Sequence, residues 1–87
     1  MLHELKLNEI YVTSIIMGDK TFEIRLNDRN FKVCDLIHFT PVDEKGIEVR
    51  DIYHIKDNKY VITYIFNGGA YGLDRDYCVF SFKQALE

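Results

Sequence analysis

Cysteine is scarce in this sequence, and its placement gives no sign of a disulfide or metal framework. The chain has two cysteines, Cys34 and Cys78, which are far apart and form no Cys-x-x-Cys pair. The three histidines are isolated, with no second histidine or carboxylate at the spacing of metal ligands. We therefore expect two buried free thiols, no metal site and no cofactor.

Proline and long apolar runs are equally scarce. A single proline among 47% hydrophobic residues is unlike a disordered chain. No apolar run approaches the roughly 20 residues that a membrane-spanning helix needs, and the first residues lack a basic region followed by an apolar stretch. These features predict a cytoplasmic protein without membrane contact. A chain of 87 residues is expected to form one domain, 1–87, with a single modest core.

Positive charge is not in excess. The 11 lysines and arginines are outnumbered by 14 aspartates and glutamates, which leaves a net charge of −3. Tight, non-specific binding to nucleic acid needs many phosphate contacts from lysine and arginine, so the composition argues against that mode. A small basic pocket that binds one or a few nucleotides remains compatible with this composition.

Hydrophobic periodicity predicts several short strands and one helix near the start of the chain. Asn8 is a good N-cap for a helix over residues 9–19, and Gly18 is suited to ending it. Alternating or β-branched segments predict strands, with a hairpin turn at 56–58, over residues 3–7, 21–27, 36–40, 48–55, 59–66 and 77–82. Closing such a sheet removes exposed edges that a short chain has no room to cover. We expect an α+β fold built on a small, curved, partly closed β-barrel.

Residues 20–31 combine charged and amide side chains with a strand pattern. At a period of two, three apolar side chains share one face, which we expect to be buried: Phe22, Ile24 and Leu26. The other face carries four polar side chains: Thr21, Glu23, Arg25 and Asn27. This polar face either binds a ligand or is simply exposed to solvent. Lys20, at the turn from helix to strand, either joins it or is a solvated charge near the helix C-terminus.

Residues 67–76 form a glycine-rich loop between the last two predicted strands. The loop holds three of the five glycines in the chain. Glycine lets a backbone approach a ligand closely and expose its amide donors, and Tyr71 offers a flat face for stacking on a base. The alternative is a plain turn whose tyrosine packs on the domain edge. The loop is not a P-loop, and it lacks the spacing of a dinucleotide fingerprint.

Several of these segments together resemble a known family. They are a Gly-x-Lys-Thr-x-Glu-x-Arg element at 18–25, Asn-Asp-Arg at 27–29, Gly-Gly at 68–69, Tyr-Gly-Leu at 71–73 and the segment 77–83. In this order they resemble the ASCH domains of the PUA-like superfamily, and most closely a small branch often found in phage and prophage proteins. The resemblance covers nearly the whole chain. It implies a PUA-like β-barrel with a cleft lined by the first element, and recognition of RNA or a modified nucleotide.

Two departures from the family pattern matter. The family commonly has Gly-Asp where this chain has Cys34 and Asp35, so any unusual backbone angle served by that glycine must be met by cysteine or be unnecessary. Some small ASCH proteins are amidohydrolases of acetylated cytidine that use a lysine, a threonine three residues later and a glutamate on a helical segment before the last strand. Lys20 matches that lysine, but Glu23 stands in the threonine's place and residues 67–76 contain no glutamate.

The residues and the resemblance together predict a non-catalytic module that binds RNA or a nucleotide in a cleft between residues 20–25 and 68–72. Lys20 and Arg25 are expected to hold phosphate, since arginine suits a bidentate contact and lysine supplies a point charge. Five further residues are candidate ligand contacts: Thr21, Glu23, Arg29, Gly69 and Tyr71.

Two alternatives stay open. The first is an amidohydrolase acting through Lys20 and Glu23, although a carboxylate beside a lysine favours the charged ammonium and opposes nucleophilic attack. The second is a protein-interaction domain, because six tyrosines and six phenylalanines supply the aromatic side chains that are enriched in interface cores. The sequence leaves the oligomeric state open.

Overall fold

A mixed sheet and one short helix make up the fold in a computed structural model that describes residues 1–85. The helix α1 is Val12–Ile16, and the strands are Leu2–Asn8 (β1), Phe22–Leu26 (β2), Leu36–Val42 (β3), Tyr60–Asn67 (β4) and Tyr77–Gln84 (β5). Two 3₁₀ turns, Glu9–Tyr11 and Ile55–Asp57, complete the regular structure. The predicted α+β class with one helix near the start is confirmed. Within residues 1–85, no helix is long and apolar enough to cross a membrane.

The sheet is open, and the predicted closure into a barrel is wrong. Its strand order is β1-β3-β4-β5-β2, with β1 parallel to β3 and the other pairs antiparallel. The strands β1 and β2 therefore form its two edges. A side chain joins them, because Nη2 of Arg25 in β2 donates a hydrogen bond to the backbone oxygen of Lys6 in β1 at 2.6 Å. An arginine thus bridges a seam where a barrel would have a backbone ladder.

One face of the sheet builds the core. The buried side chains of β1 and β5 alternate, so that Leu5 and Leu7 meet Phe80 and Phe82 in the interior. Further apolar residues from the other elements close this core: Val12, Ile15, Phe31, Ile37, Phe39, Ile55, Tyr60, Ile62 and Cys78. Ring centroids of Phe39, Tyr60 and Phe82 lie 5.3–5.7 Å apart, a spacing typical of packed aromatic pairs.

The strand β2 faces the opposite way from the prediction. Its apolar side chains are 45–56% exposed, whereas Glu23 is only 6% exposed: these apolar residues are Phe22, Ile24 and Leu26. The cause is the register with β5, in which Glu23 lies opposite the buried Phe80 and Arg25 opposite the buried Cys78. Directly opposed residues share a face. The core positions of β5 therefore turn the charged side chains of β2 inward.

Two connections also differ from the predictions. The helix is shorter than residues 9–19, since 3₁₀ geometry occupies its first turn and Gly18 ends it at a φ of +79°. Residues 48–55 form no strand beyond a single bridge from Val42 to Glu48. The Asp51 carboxylate accepts the backbone N–H groups of residues 55 and 56 and so stabilises the 3₁₀ turn that replaces the expected hairpin.

The turn before β3 holds the predicted Cys-Asp pair. Cys34 has a φ of +77°, in the left-handed region that favours glycine, so cysteine does adopt the angle in question. Cys34 is exposed in this turn, so the expectation that both thiols are buried is wrong for Cys34, whereas Cys78 is buried. Asp35 accepts hydrogen bonds from the His3 ring at 2.8 Å and from the Lys32 amide at 3.1 Å.

Burial and hydrogen bonding act in opposite directions on Asp35. Burial raises the pKa of its carboxyl group, but the hydrogen bonds from His3, the Lys32 amide and the N-terminal ammonium outweigh it and hold the pKa below its usual value. The ring of His3 also packs edge-on against Phe31, 4.8 Å between centroids. This cluster ties the start of β1 to the start of β3.

Candidate functional site

A buried carboxylate is the centre of the polar cluster at the seam between β1 and β2. Oε1 of Glu23 accepts a hydrogen bond from Nζ of Lys20 at 2.7 Å, and Oε2 accepts one from Nε of Arg25 at 2.8 Å. The sequence suggested that these three residues act together, and the structure brings them into direct contact. Two cations on one carboxylate leave the cluster with a formal charge of +1, in a protein whose net charge is −3.

Lys20 lies between two aromatic rings. Its Nζ is 4.7 Å from the centroid of Phe22 and 5.2 Å from the centroid of Tyr11, and it also donates to the backbone oxygen of Phe22 at 2.6 Å. Of the three ammonium N–H groups, two are used by Glu23 and by that carbonyl, so one remains for a ligand. The two rings and the two acceptors together fix the position of the ammonium group.

Arg25 keeps more of its hydrogen-bonding capacity. A guanidinium carries five N–H groups, and the bonds to Glu23 and to the Lys6 carbonyl use two of them. No further acceptor for Arg25 is found within the part of the chain that the structure describes. Its side chain is 22% exposed, against 18% for Lys20, so both cations are reachable from solvent.

Two depressions open beside Lys20. One, of about 300 Å³, is walled by the Tyr11 and Phe22 rings together with Lys20, Glu23 and Ile24. The other, of about 210 Å³, includes Thr21 and reaches toward β5. The backbone oxygen of Thr21 accepts from the Phe82 amide, which fixes this residue at the edge of the sheet. The site therefore offers positive charge beside flat aromatic faces, a combination suited to a phosphorylated ligand with a ring.

The glycine-rich loop lies at the other end of β2. Register pairs Leu26 with Tyr77, and the Asn27 amide donates to the Asp76 carbonyl, so the loop adjoins the C-terminal end of β2 while Lys20 precedes its N-terminal end. At about 3.3 Å per residue, the five residues of β2 separate them by more than roughly 13 Å. The structure thus does not bring residues 68–72 into one pocket with Lys20 and Glu23.

The loop itself has a tightly constrained backbone. A Cβ atom at Gly68 would lie 1.8 Å from the Asp74 carbonyl oxygen, so only glycine fits there. Gly69 has a φ of +103° and Tyr71 a φ of +53°. The Tyr71 side chain is 96% exposed and its ring lies 5.8 Å from that of Phe66. An exposed ring on a rigid loop remains available for stacking.

The remaining candidate, Arg29, is exposed in the turn after β2. This turn is organised by Asn27, whose Oδ1 accepts a hydrogen bond from the Phe31 amide. Arg29 lies on the loop side of β2 rather than beside Lys20. Within residues 1–85, no group of three or more potential metal-ligating side chains is assembled.

Sequence reasoning missed three parts of the site. Tyr11 fell within the longer predicted helix and was given no role in the site, Phe22 was assigned to the core, and the Lys6 carbonyl carries no side-chain signal. The Phe22 assignment followed from alternation, which defines two faces without saying which is buried. The other two contacts depend on how β1, α1 and β2 meet in three dimensions.

Comparison with known proteins identifies the family of this chain. The model of the family described as "Domain of unknown function (DUF3850)" matches residues 2–82, and the protein therefore belongs to that family. No curated protein matches the sequence. The matched region includes Lys20, Glu23 and Arg25 as well as the glycine-rich loop. Because the family description assigns no activity, the function has to be argued from the site.

Proposed function

We propose that this DUF3850 protein is a binding module of the ASCH and PUA-like type that recognises a phosphorylated nucleotide or a short single strand of RNA at the β1–β2 seam. The observation that carries the proposal is the pairing of Lys20 and Arg25 on the buried Glu23 carboxylate, beside the exposed rings of Tyr11 and Phe22.

Phosphate is the ligand group that fits the two cations. Arg25 retains three N–H donors and Lys20 one, and guanidinium and ammonium groups are the usual partners of phosphate oxygens. Glu23 fixes the position of both cations before a ligand arrives, so little side-chain ordering remains to oppose binding. The formal charge of +1 at this cluster, in a protein with a net charge of −3, suits one or two phosphates rather than a long duplex.

The base of the nucleotide is accommodated by the aromatic walls. Tyr11 and Phe22 line the depression on either side of Lys20, and stacking on an aromatic ring accepts any base. The Thr21 hydroxyl and the edge of Glu23 supply the hydrogen-bonding groups that distinguish one base or modification from another.

The glycine-rich loop enters the proposal as a second contact. A ligand that holds Lys20 and also stacks on Tyr71 has to extend along β2, since the two lie at opposite ends of that strand. A short single strand is long enough for this, whereas a mononucleotide occupies the Lys20 end alone. Arg29 and the backbone at Gly69 lie on the loop side and extend the contact with the strand.

The amidohydrolase alternative has less support from the geometry. Nucleophilic attack requires a free amine lone pair, but Nζ of Lys20 donates to a carboxylate and to a carbonyl oxygen and lies against two aromatic rings. Each Glu23 oxygen already accepts a hydrogen bond from a cation and the residue is 6% exposed, so little of the carboxylate is accessible to a water molecule. No helix lies between β4 and β5 in the described residues.

An amide chemical-shift titration with a short single-stranded RNA of mixed sequence tests the proposal. Shifts concentrated in residues 20–25, accompanied by residues 68–72 for strands of several nucleotides, are the expected result. Lys20→Ala should weaken the binding that produces these shifts, whereas Lys32→Ala, an exposed lysine in the turn before β3, should leave it unchanged. Wild-type spectra that do not respond at high RNA concentration would reject RNA binding. Turnover of an acetylated cytidine that Lys20→Ala removes would establish the hydrolase instead.

A further inference from the structure

The outer face of the sheet, opposite the core, carries a continuous apolar surface across β2, β5 and β4. In the register of the sheet, Ile24 lies opposite Val79, and Val79 lies opposite Phe66. Leu26 lies opposite Tyr77 in the next pair on the same face. We define the outer face by six residues: Phe22, Ile24, Leu26, Phe66, Tyr77 and Val79. No helix or loop of residues 1–85 covers its centre, because α1 packs on the core side.

The outer face is larger than an isolated soluble domain ordinarily exposes. Four of its side chains are 41–56% exposed: Phe22, Ile24, Leu26 and Tyr77. At its border, Tyr64 is 67% exposed and Tyr71 is 96% exposed. With roughly 200 Å² for a complete large side chain, Phe22, Ile24, Leu26 and Tyr77 expose about 380 Å². Tyr64 and Tyr71 raise the exposed surface of the whole patch to about 700 Å², which includes the tyrosine hydroxyl groups. The largest patch on a typical monomer is about 300–600 Å². One side of a standard protein interface is about 800 Å².

We propose that two copies of this chain associate through their outer faces, sheet against sheet. A two-fold axis places the same patch on both partners, so the patch must be complementary to itself. Rows of aliphatic and aromatic side chains on a sheet meet this condition, since two such faces pack about 10 Å apart with their side chains interdigitated. The available area matches what one partner of a stable dimer contributes.

The charges around the outer face fit an antiparallel pair. Exposed Lys83 lies at the end of the face where β5 finishes, and exposed Asp74, Arg75 and Asp76, with a formal charge of −1, lie in the loop at the other end. An antiparallel two-fold arrangement sets the lysine end of one copy against the aspartate end of its partner. Complementary rim charges of this kind fix register and speed association more than they add affinity.

RNA is a poorer occupant of this surface than a second copy. The centre of the outer face is aliphatic, with Ile24, Leu26 and Val79, and these side chains offer no ring on which a base can stack. The net charge of −3 also opposes a polyanion spread over a whole face. The dimer proposal does not rest on the proposed nucleotide site, but the two surfaces share Phe22, Ile24 and Tyr71, so a second copy and a bound ligand compete for them.

Sedimentation equilibrium from micromolar to millimolar concentration tests the proposal, with Ile24→Lys as the disrupting variant. Ile47→Lys is the matched control, since Ile47 is 61% exposed against 56% for Ile24 but lies in the turn after β3. The wild type should form a dimer with a dissociation constant on the order of micromolar. Ile24→Lys should weaken it at least about 30-fold, as for a central interface residue, and Ile47→Lys should not.

Other outcomes would overturn the dimer. A wild type that remains monomeric throughout, or a dimer that Ile24→Lys leaves intact, contradicts it directly. Leu26→Lys serves as a second variant, and far-UV circular dichroism confirms that each variant is folded. If the face instead binds RNA, the added lysine of Ile24→Lys should tighten RNA binding while the wild type stays monomeric, and that result would also refute the proposal.

Discussion

Replacing Glu23 should destabilise the protein strongly, because its buried carboxylate holds two cations. It accepts one hydrogen bond from Lys20 and one from Arg25 and is 6% exposed. Removing one member of a buried ion pair costs about 3–5 kcal/mol, since the remaining charge is left uncompensated. Lys20 and Arg25 retain some exposure and can turn partly toward water, which places Glu23→Ala near the lower end, at about 3 kcal/mol.

Glu23→Gln removes the charge of this side chain but keeps its size and shape. The amide oxygen still accepts one of the two hydrogen bonds, so the expected loss is about 2 kcal/mol in the free energy of unfolding. Urea unfolding followed by circular dichroism measures it. With a dependence of about 1 kcal/mol per molar urea, the midpoint should fall by roughly 2 M. Glu48→Gln is the control, because Glu48 pairs with Lys56 on the surface and its loss should leave the midpoint unchanged. A Glu23→Gln midpoint equal to that of the wild type would refute the reasoning.

Two further predictions concern the turn before β3. Cys34→Gly should raise the free energy of unfolding by about 0.5–1 kcal/mol, because glycine removes the strain of a φ of +77° while Cys34→Ala does not; equal midpoints for both variants in urea would contradict this. The lowered pKa of Asp35 means that its stabilising contribution is complete above the usual value of 3.8 and is lost as the pH falls through the folded-state pKa. The difference in unfolding free energy between wild type and Asp35→Asn should therefore be constant above about pH 5 and shrink in stronger acid; a difference that stays constant in acid would count against it.

Strand positions were predictable where one face alone is apolar. The alternation in β1 and the aromatic and β-branched run of β5 identify both strands and their buried faces, as the core contacts of Leu5 and Phe80 confirm. In β2 either face is a plausible buried face, because the apolar side chains alternate with charged side chains that can form ion pairs. Only the register with β5, a contact distant in sequence, decides that Glu23 is buried and Ile24 exposed.

Local side-chain chemistry explains the failure at residues 48–55. The β-branched residues there favour a strand, but the Asp51 carboxylate accepts two backbone N–H groups and the buried Ile55 anchors the chain in a 3₁₀ turn. Side-chain to backbone hydrogen bonds of this kind compete with extended structure, and sequence periodicity does not register them.

The candidate site was predictable only in part for a similar reason. A period of two places Glu23 and Arg25 on one face, and Lys20 precedes Glu23 by only three residues, so their association was predictable from the sequence. The approach of Tyr11 and of the Lys6 carbonyl depends on how the edges of an open sheet meet. The position of the glycine-rich loop at the far end of β2 likewise follows from the β2–β5 register.

The salt dependence of RNA affinity tests the central claim most directly. Each single-strand phosphate contact contributes a slope of about −0.7 to the logarithm of affinity against the logarithm of salt, so two contacts predict about −1.4, or roughly a 7-fold loss between 50 and 200 mM. Fluorescence anisotropy of a labelled short RNA should show this slope for the wild type and for Lys32→Ala. Lys20→Ala should reduce it to about −0.7. An unchanged slope in Lys20→Ala, or no binding by the wild type, would contradict a phosphate site at Lys20 and Arg25.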